Sequence, residues 1–328
     1  MPKVSVILPV YNAERFIEKT ITTLMHQTLN DVEFIVIDDG STDDSFNIIN
    51  HTINCYPQRK HQVNLIHRDN RGVAETRSEG ILLAQGDYIT FIDSDDWVEP
   101  DWLELMYNKA VDDNSDIVVC NYFREDANNT VTVNQEVSNC SDECIANLLL
   151  DKISNCNWNK LVSRALFLEN KILFDKKYSL GEDFLVTLKV FISAKKISLI
   201  RKPLYHYNLT NLSSLAKNTS TESLEGLLGV VKDTNIILSE KGKGSKFNYE
   251  LGHFKNKVRN IFIMQSIGNP QRKEKALQLF NESNHLITLG SAPKALWIIY
   301  NMKKLHITFL YKLFDFMLIM NERLKYGR

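Results

Sequence analysis

Residues 88–97 read Tyr-Ile-Thr-Phe-Ile-Asp-Ser-Asp-Asp-Trp, an apolar run that ends in three carboxylates. The run Tyr88–Asp93 predicts a buried strand, so the carboxylates follow directly after the strand's last residues. Because ionised carboxylates this close together repel one another, Asp93, Asp95 and Asp96 need a cation or strong hydrogen-bond donors nearby. Carboxylate oxygens suit Mg²⁺ or Mn²⁺, and a polar loop that caps the next helix is the alternative that this stretch alone leaves open.

The rest of the first 120 residues alternates between strand and helix patterns. Four other apolar runs predict strands, at Val4–Val10, Val32–Asp38, Val63–His67 and Asp116–Tyr122. Between them, helical spacing predicts helices at Ala13–Gln27, Val73–Ala84 and Pro100–Val111. A further helix is predicted after the second strand, with Ser41 or Thr42 as its N-terminal cap. Apolar strands separated by helices predict an α/β fold with a mainly parallel sheet covered on both faces. Ligands of such sheets bind beyond the carboxyl ends of the strands.

The ends of the first two strands carry residues that suit a nucleotide. Pro9 lies at the end of the first strand, and Tyr11 just beyond it could stack on a base. Asp39 follows the second strand and could accept a hydrogen bond from a base N–H, while Gly40 permits close backbone approach. A rim aromatic and a strand-end turn are the structural alternatives for Tyr11 and Asp39.

Two arginines, Arg71 and Arg77, bracket the start of the helix that follows Asn70–Gly72. Arginine and a helix N-terminus both suit a diphosphate, although either residue alone is more often a surface charge. An aromatic, a base acceptor, a cationic loop and metal-binding carboxylates at neighbouring strand ends together fit a nucleoside-diphosphate ligand. The chain has no G-x-G-x-x-G after the first strand and no P-loop, which counts against NAD(P) enzymes and P-loop NTPases.

Six segments of the chain carry a family resemblance. They are Val4–Asn12, Ile37–Asp43, Asn70–Gly72, Phe91–Asp96, Trp158–Leu161 and Gly181–Asp183. Together they resemble the family 2 glycosyltransferases with the GT-A fold, which is Rossmann-like with a mainly parallel sheet flanked by helices. The last two segments are similar to bacterial members that build surface glycans such as lipopolysaccharide O-antigen, capsule or exopolysaccharide.

The resemblance implies an inverting transferase that uses a divalent metal and moves a sugar from a nucleotide donor, UDP-linked by expectation, to a hydroxyl of a growing or lipid-linked glycan. By position, Asp39 would hold the base, Asp93 would face the ribose or the metal, and Asp95 would ligate the metal. Asp183 would be the catalytic base, with Glu182 beside it at a helix start, where the helix dipole favours carboxylates. Plain stabilisation of that helix start is the alternative for both.

The remaining site candidates each have a structural alternative as well. Asp96 could bind donor-sugar or acceptor hydroxyls or cap the following helix. Trp158 and Lys160 could line the sugar or acceptor pocket, with core packing and a surface charge as their alternatives. Ser78 stands where the family often has Asn, so it receives no role. The predicted donor-binding residues are Pro9, Tyr11, Asp39, Arg71, Arg77, Asp93, Ser94, Asp96 and Lys160, and the predicted metal ligands are Asp93, Asp95 and His206.

The chain has an uneven distribution of charge and motifs. Residues 1–218 carry 22 Lys and Arg against 31 Asp and Glu, whereas residues 219–328 carry 17 against 9. We predict a catalytic domain at 1–218, with donor binding in about 1–122, a polar loop at 124–147 and the acceptor part in about 123–218. Residues 219–328 read as helices without a family motif. Their segment Ala295–Met320 mixes aromatics with lysines, which indicates either an interfacial membrane helix or a helix that packs on protein.

Composition and the absence of other motifs limit the remaining classes. A net charge of -1 argues against a nucleic-acid partner. Five cysteines without a C-x-x-C pair favour a reduced, cytoplasmic chain. The inner face of the cell membrane is a further expected location, and the sequence leaves a homo-oligomer open. A sugar-nucleotide nucleotidyltransferase would want a glycine-rich, basic N-terminal loop, which is absent. A non-catalytic glycan- or nucleotide-binding protein is the other alternative, and the intact Asp93, Asp95 and Asp183 argue against it.

Overall fold

The computed structural model of the chain describes residues 1–211, 221–266 and 269–305, which form two compact units divided after Gly226. The strands are β1 Val4–Val10, β2 Val32–Asp38, β3 Val63–His67, β4 Tyr88–Phe91, β5 Trp97–Val98, β6 Ile117–Glu125, β7 Thr130–Val133, β8 Lys160–Ser163 and β9 Ile197–Asn208. The helices are α1 Ile17–Met25, α2 Ser45–Asn54, α3 Pro57–Lys60, α4 Val73–Leu83, α5 Trp102–Asp113, α6 Ser141–Leu149, α7 Arg164–Glu169, α8 Glu182–Ser193, α9 Thr221–Glu240, α10 Asn248–Gln265, α11 Pro270–Gln278 and α12 Lys294–Lys304.

All the described strands belong to one sheet in the order β3-β2-β1-β4-β8-β6-β9-β5. Strand β7 lies off this path and pairs with the C-terminal end of β6. The pairs β3–β2, β2–β1, β1–β4 and β6–β9 are parallel. The strands β8, β5 and β7 pair antiparallel with their neighbours. The α/β prediction is therefore confirmed, and the fully parallel part of the sheet is the half made by the first four predicted strands.

The centre of the sheet is apolar because its strands are covered by helices. Every residue of β1 is buried, as the unbroken apolar run predicts for a central parallel strand. On one face, α1 and α5 contribute Ile21, Leu24 and Met106 to the same buried cluster as Val6 of β1. This packing holds the carboxyl ends of β1, β2 and β4 side by side.

The loop expected at 124–147 is wrong in part. β6 continues to Glu125, Thr130–Val133 form β7 and α6 begins at Ser141, whereas residues 126–129 and 134–140 follow the expectation. The alternating Thr and Val of β7 supply the period-two pattern of a paired strand. Helix α6 then buries Cys144, Ile145 and Leu148 on one side, a spacing that the surrounding asparagines obscure in the sequence. The predicted Ser41 or Thr42 cap is wrong too, because α2 begins at Ser45.

The second unit has its own core. Helices α10, α11 and α12 bury Ile263, Leu277, Leu296 and Ile299 against one another. The beginning of the aromatic and lysine-rich segment thus packs on protein, while residues 306–328, which hold the rest of it, lie outside the described residues. Across the described ranges, no helix is both long and apolar enough to cross a membrane.

Gly86 sets the approach of β4 to β1. Its N–H donates to the Ser5 hydroxyl at 2.8 Å and to the Glu33 carboxylate at 3.1 Å. A Cβ at this position would lie 2.7 Å from the Ser5 nitrogen and 2.8 Å from the Val4 carbonyl carbon. Because these are backbone atoms of a central strand, they cannot move aside without displacing the sheet.

We expect Gly86→Ala to lower the free energy of unfolding by about 1–3 kcal/mol, the usual cost of overpacking a core. Urea unfolding followed by circular dichroism measures the change. Gly226→Ala is the matched control. Gly226 lies in α9, and a Cβ at this position would meet only the Tyr178 ring, at an ordinary contact distance of 3.6 Å. Equal stability of the two variants would contradict the close approach of β4 to β1.

Candidate active site

The site is organised around a buried guanidinium. Arg77, on α4, is 7% exposed and its Nη2 donates to Asp93 Oδ1 at 2.8 Å. Its Nη1 lies 2.9 Å from Asp183 Oδ1 and 3.3 Å from Glu182 Oε1. Burial alone would lower the pKa of Arg77, but the carboxylates of Asp183, Asp93 and Glu182 together raise it, so the side chain stays charged. One cation thus joins the end of β4 to the start of α8.

The carboxylates at the start of α8 are in different environments. The Glu182 side chain is 9% exposed, and burial raises its pKa to about 7. The Asp183 side chain is 24% exposed and also accepts from Asn157 Nδ2 at 2.8 Å. Burial raises the pKa of Asp183 too, although the Arg77 guanidinium opposes that shift. Asp183 is therefore the more accessible of the two acids and a carboxylate that holds a proton more readily than an ordinary Asp.

Ser78 and Phe174 complete the surroundings of Arg77. The Phe174 ring lies 5.5 Å from the Arg77 guanidinium carbon, a cation–π distance. The Ser78 hydroxyl accepts from the Phe174 N–H at 3.0 Å and faces the Phe174 carbonyl at 3.4 Å. Ser78, the departure from the family pattern, thus ties down the segment that covers the guanidinium.

The three carboxylates that follow β4 do not all face the same way. Asp93 and Asp95 are partly exposed, and Asp95 Oδ2 accepts from Asn211 Nδ2 at 2.7 Å. Asp96 is 1% exposed, and its two oxygens accept from the Tyr205 hydroxyl at 2.6 Å and the Asn208 N–H at 2.7 Å. Burial, with Asp95 and Asp93 nearby, raises the pKa of Asp96 well above its ordinary value. Asp96, predicted to bind the donor, points into the protein.

The turn after β2 is bound to the loop before α4. Asp39 Oδ1 accepts from the Arg71 N–H at 2.9 Å, and Oδ2 accepts from the Gly72 N–H at 2.8 Å. The guanidinium of Arg68, which the sequence did not single out, also donates to Asp39. The close approach expected at Gly40 is made to the chain's own Asn70 nitrogen, which would lie 2.7 Å from a Cβ on Gly40.

The other residues of this edge differ in exposure. Tyr11 is 52% exposed just beyond β1, whereas Pro9 is buried within that strand. The Arg71 side chain is half exposed, with Glu75 4.0 Å away, and is open to an anionic ligand. Ser94 offers its carbonyl to the Thr20 hydroxyl at 3.0 Å, so its backbone is used by the protein itself.

Lys160 and His206 are engaged elsewhere. The Lys160 ammonium is buried and donates to the Ser154 and Cys156 carbonyls at 2.8 and 2.5 Å and to Asn159 Oδ1 at 2.8 Å, which uses all three N–H groups. Burial lowers the pKa of Lys160 to about 8. This placement differs from the sugar-pocket lining expected of it, because a fully bonded interior ammonium holds the 154–159 loop.

His206 likewise has both ring nitrogens committed. Nδ1 lies 2.7 Å from Glu125 Oε1 and Nε2 lies 2.8 Å from Glu99 Oε1. The ring is stacked between Trp97, at 5.1 Å, and Phe123, at 4.7 Å. The expected ligation of a metal by His206 does not fit this arrangement, because neither nitrogen has a free lone pair directed to Asp93 or Asp95.

A stack of aromatic rings packs behind the loop that follows β4. Trp158 lies parallel to Tyr205 with ring centroids 4.2 Å apart, and Tyr207 is the next ring at 5.5 Å from Trp158. Sequence reasoning missed Asn157, Tyr205 and Asn208, although Asn157 adjoins a family segment. No local pattern could have identified the other two, because their partners lie more than 100 residues away.

Within the ranges that the structure describes, no three His, Cys, Asp or Glu side chains converge as a metal site. Asp93 and Asp95 are thus the oxygen donors that a cation would find here. Mg²⁺ and related cations are commonly held by one or two carboxylates together with substrate phosphates and water. Two partly exposed carboxylates beside a cationic edge are therefore compatible with a metal that also binds a diphosphate.

Comparison with known proteins places the chain in a family. The sequence profile of the glycosyl transferase family 2 matches residues 5–169. EpsH of Bacillus subtilis strain 168, which is named as a glycosyltransferase, is 31% identical over 260 residues, covering 77% of this chain and 74% of EpsH. The poly(ribitol-phosphate) beta-glucosyltransferase of Bacillus spizizenii is 30% identical over 209 residues, which is 62% of this chain and 32% of that protein.

Solved structures share the fold. TarS residues 1–349 of S. aureus, crystallised with UDP-GlcNAc, superpose with a TM-score of 0.69 at 20% identity over 99% of this chain and 92% of that 1–349 chain. The mannosyltransferase PcManGT of Pyrobaculum calidifontis, in complex with GDP-Man and Mn²⁺, gives a TM-score of 0.56 at 15% identity over 97% and 84%. The profile match, the identity to EpsH and this fold agree, and the chain is an enzyme of glycosyltransferase family 2.

Proposed function

We propose that the enzyme transfers a sugar, with inversion, from a UDP-sugar to a hydroxyl of a growing bacterial surface glycan. The observation that carries this proposal is the ion-pair cluster of Arg77 with Asp93, Glu182 and Asp183. It brings Asp93, one of the two carboxylates suited to a metal, next to Asp183, a carboxylate suited to proton transfer. An inverting displacement needs these two functions on either side of one anomeric carbon.

The donor would lie along the edge formed by the ends of β1, β2 and β4. Tyr11 offers an exposed ring for the base. The Asp39 carboxylate, which is buried and accepts from the Arg71 and Gly72 N–H groups, would hold the loop that borders the base rather than meet the base itself. TarS binds UDP-GlcNAc and PcManGT binds GDP-Man, which supports a nucleoside-diphospho-sugar as the donor class. The exposed Arg71 and the start of α4 supply positive charge for the diphosphate.

A divalent cation would be held by Asp93 and Asp95, with the donor diphosphate completing its oxygen ligands. Such a cation neutralises charge that develops on the departing diphosphate. Asp93 is also the partner of Arg77, so the cluster orients one of its oxygens while the side chain remains partly exposed. The presence of Mn²⁺ in PcManGT supports the choice of metal.

Asp183 would accept the proton of the acceptor hydroxyl as the new bond forms. Its hydrogen bonds from Arg77 and Asn157 both reach Oδ1, which fixes the plane of the carboxylate. Glu182, which is more buried, would hold Arg77 rather than meet the acceptor. General base catalysis is most effective when the pKa of the base lies near the working pH, and the raised pKa of Asp183 is in that direction.

The acceptor class rests on the relatives. EpsH and the poly(ribitol-phosphate) beta-glucosyltransferase match 77% and 62% of this chain, and the second is named for a polymer acceptor. A polymer or lipid-linked glycan would approach from the α8 side, because Asp183 lies there. This assignment of the acceptor class does not depend on the second unit.

We expect turnover of a UDP-sugar, detected as released UDP in a panel of nucleotide sugars, to require Mn²⁺ or Mg²⁺. Asp95→Asn should reduce this turnover by about 100-fold because the remaining carboxylate holds the cation poorly. Asp112→Asn, an exposed change on α5, is the matched control. Full activity of Asp95→Asn, or turnover that chelation with EDTA leaves unchanged, would contradict the metal assignment.

We expect Asp183→Asn to lower kcat by about 10²–10⁴-fold, the typical contribution of a general base, while UDP affinity stays within about threefold. The substitution keeps the hydrogen bond to Arg77 through the amide oxygen and removes the proton acceptor. Steady-state kinetics and calorimetric titration with UDP separate the two effects. Loss of UDP binding with an unchanged kcat would move Asp183 to the donor site.

The pH dependence follows from the raised pKa of Asp183. A base must be ionised to accept a proton, so kcat falls as the pH drops through its pKa in the folded enzyme. Because burial raises that pKa, activity should be lost at a higher pH than the ordinary pKa of Asp, about 4, would give. A profile of kcat between pH 4.5 and 8 measures the acidic limb. A kcat that is constant down to pH 4.5 would be inconsistent with Asp183 as the base.

A further inference from the structure

Residues 93–96, which we call the metal loop, join β4 to β5. Two of them, the partly exposed Asp93 and Asp95, are the proposed metal ligands, so this inference rests on that proposed function. The loop has no regular backbone pairing of its own apart from the Asp96 N–H, which donates to the Asp93 carbonyl at 3.2 Å. Its conformation therefore depends on what surrounds it.

The first support is the hydroxyl of Tyr205 on β9. It accepts from the Asp93 N–H at 3.1 Å and donates to Asp96 Oδ2 at 2.6 Å, so one buried atom joins both ends of the metal loop. The ring itself is fixed by stacking on Trp158 and by the edge of Trp102, 6.1 Å away. Neither ring contact involves the hydroxyl.

The second support is Asn208, the last residue of β9. Its N–H donates to Asp96 Oδ1 at 2.7 Å, and its side-chain amide donates to the Asp95 carbonyl at 3.0 Å. Both oxygens of Asp96 are thus used by β9, and the backbone beside the exposed Asp95 carboxylate is held by the same strand.

The third support comes from the other side of the loop. The Thr20 hydroxyl of α1 lies 3.0 Å from the Ser94 carbonyl and 2.7 Å from the Asp96 carbonyl. It has one proton and therefore serves these two acceptors as a shared donor. The backbone of the metal loop is clamped between α1 and β9, while the carboxylates of Asp93 and Asp95 remain outside the clamp.

We propose that Tyr205 and Asp96 are positioning residues for the metal: Asp96 is the anchor by which β9 holds the loop, and the Tyr205 hydroxyl fixes the backbone at Asp93, so that the loop carrying the Asp93 and Asp95 carboxylates keeps its shape before a cation binds. Two like-charged carboxylates repel one another before the cation arrives, so a free loop would separate them. The clamp removes that freedom in advance, which is the advantage of a preorganised site. The motif accordingly divides into two outward ligands and one inward anchor.

The test is Tyr205→Phe, which removes the hydroxyl and keeps both ring contacts. Mn²⁺ affinity, measured by titration with electron paramagnetic resonance in the presence of UDP, should weaken about tenfold, the effect of losing one hydrogen bond to a charged group. At saturating Mn²⁺, kcat should remain within about threefold of the wild type. Hydrogen exchange of a peptide spanning residues 91–97 should become faster.

Tyr207→Phe is the matched control, because Tyr207 lies on the same strand and against the same Trp158, and among the described residues no hydrogen bond joins its hydroxyl to the metal loop. It should leave Mn²⁺ affinity and hydrogen exchange unchanged. If Tyr205→Phe binds Mn²⁺ as the wild type does, or if it lowers kcat at saturating metal with unchanged affinity, the inference is wrong. If the wild type itself binds no Mn²⁺, the proposed metal role fails first and the inference fails with it.

Thr20→Val provides a second test from the opposite side of the clamp, should Tyr205→Phe fold poorly. It is nearly isosteric and removes only the hydroxyl shared by Ser94 and Asp96. We expect weaker Mn²⁺ binding in the same direction, and wild-type affinity in a folded Thr20→Val enzyme would overturn the clamp.

Discussion

The burial of one guanidinium among three carboxylates is the constraint on which the active site depends. Arg77 is drawn to the end of β4 and to the start of α8 at the same time, and neither segment is near it in sequence. Removing one member of a buried ion pair typically costs about 3–5 kcal/mol because the remaining charge stays unpaired. The cluster therefore keeps Arg77 charged and holds the end of β4 next to the start of α8.

Three other polar side chains near the site, Asp96, Lys160 and His206, are bonded to the protein itself. Asp96 is bonded through both oxygens, Lys160 through all three N–H groups, and His206 through both nitrogens. A buried polar group left without a partner costs more than a hydrogen bond gains, so such residues settle into complete networks. What remains accessible is a short set of groups, among them Asp93, Asp183 and Tyr11.

This division gives the site a rigid interior and a limited chemical surface. The stack of Trp158, Tyr205 and Tyr207 supplies a firm support, and the hydroxyl of Tyr205 transmits that support to the loop after β4. An enzyme that joins two charged or polar substrates gains from donors and acceptors that need not reorganise during the reaction. The family resemblance locates the functional loops, whereas the contacts behind them explain why the loops keep their shape.

The sequence alone determined the α/β class, the first four strands, the family, the positions of Asp39 and Asp93 just after strands and the position of Asp183 at the start of a helix. These features are local: apolar periodicity and short motifs are written in neighbouring residues. The tertiary structure decided that Asp96 turns inward, that Lys160 and His206 are bonded within the protein, and that β7 and α6 occupy the polar stretch. Each of those outcomes depends on partners distant in the chain or on burial by packing, and neither quantity has a local pattern from which it could be read.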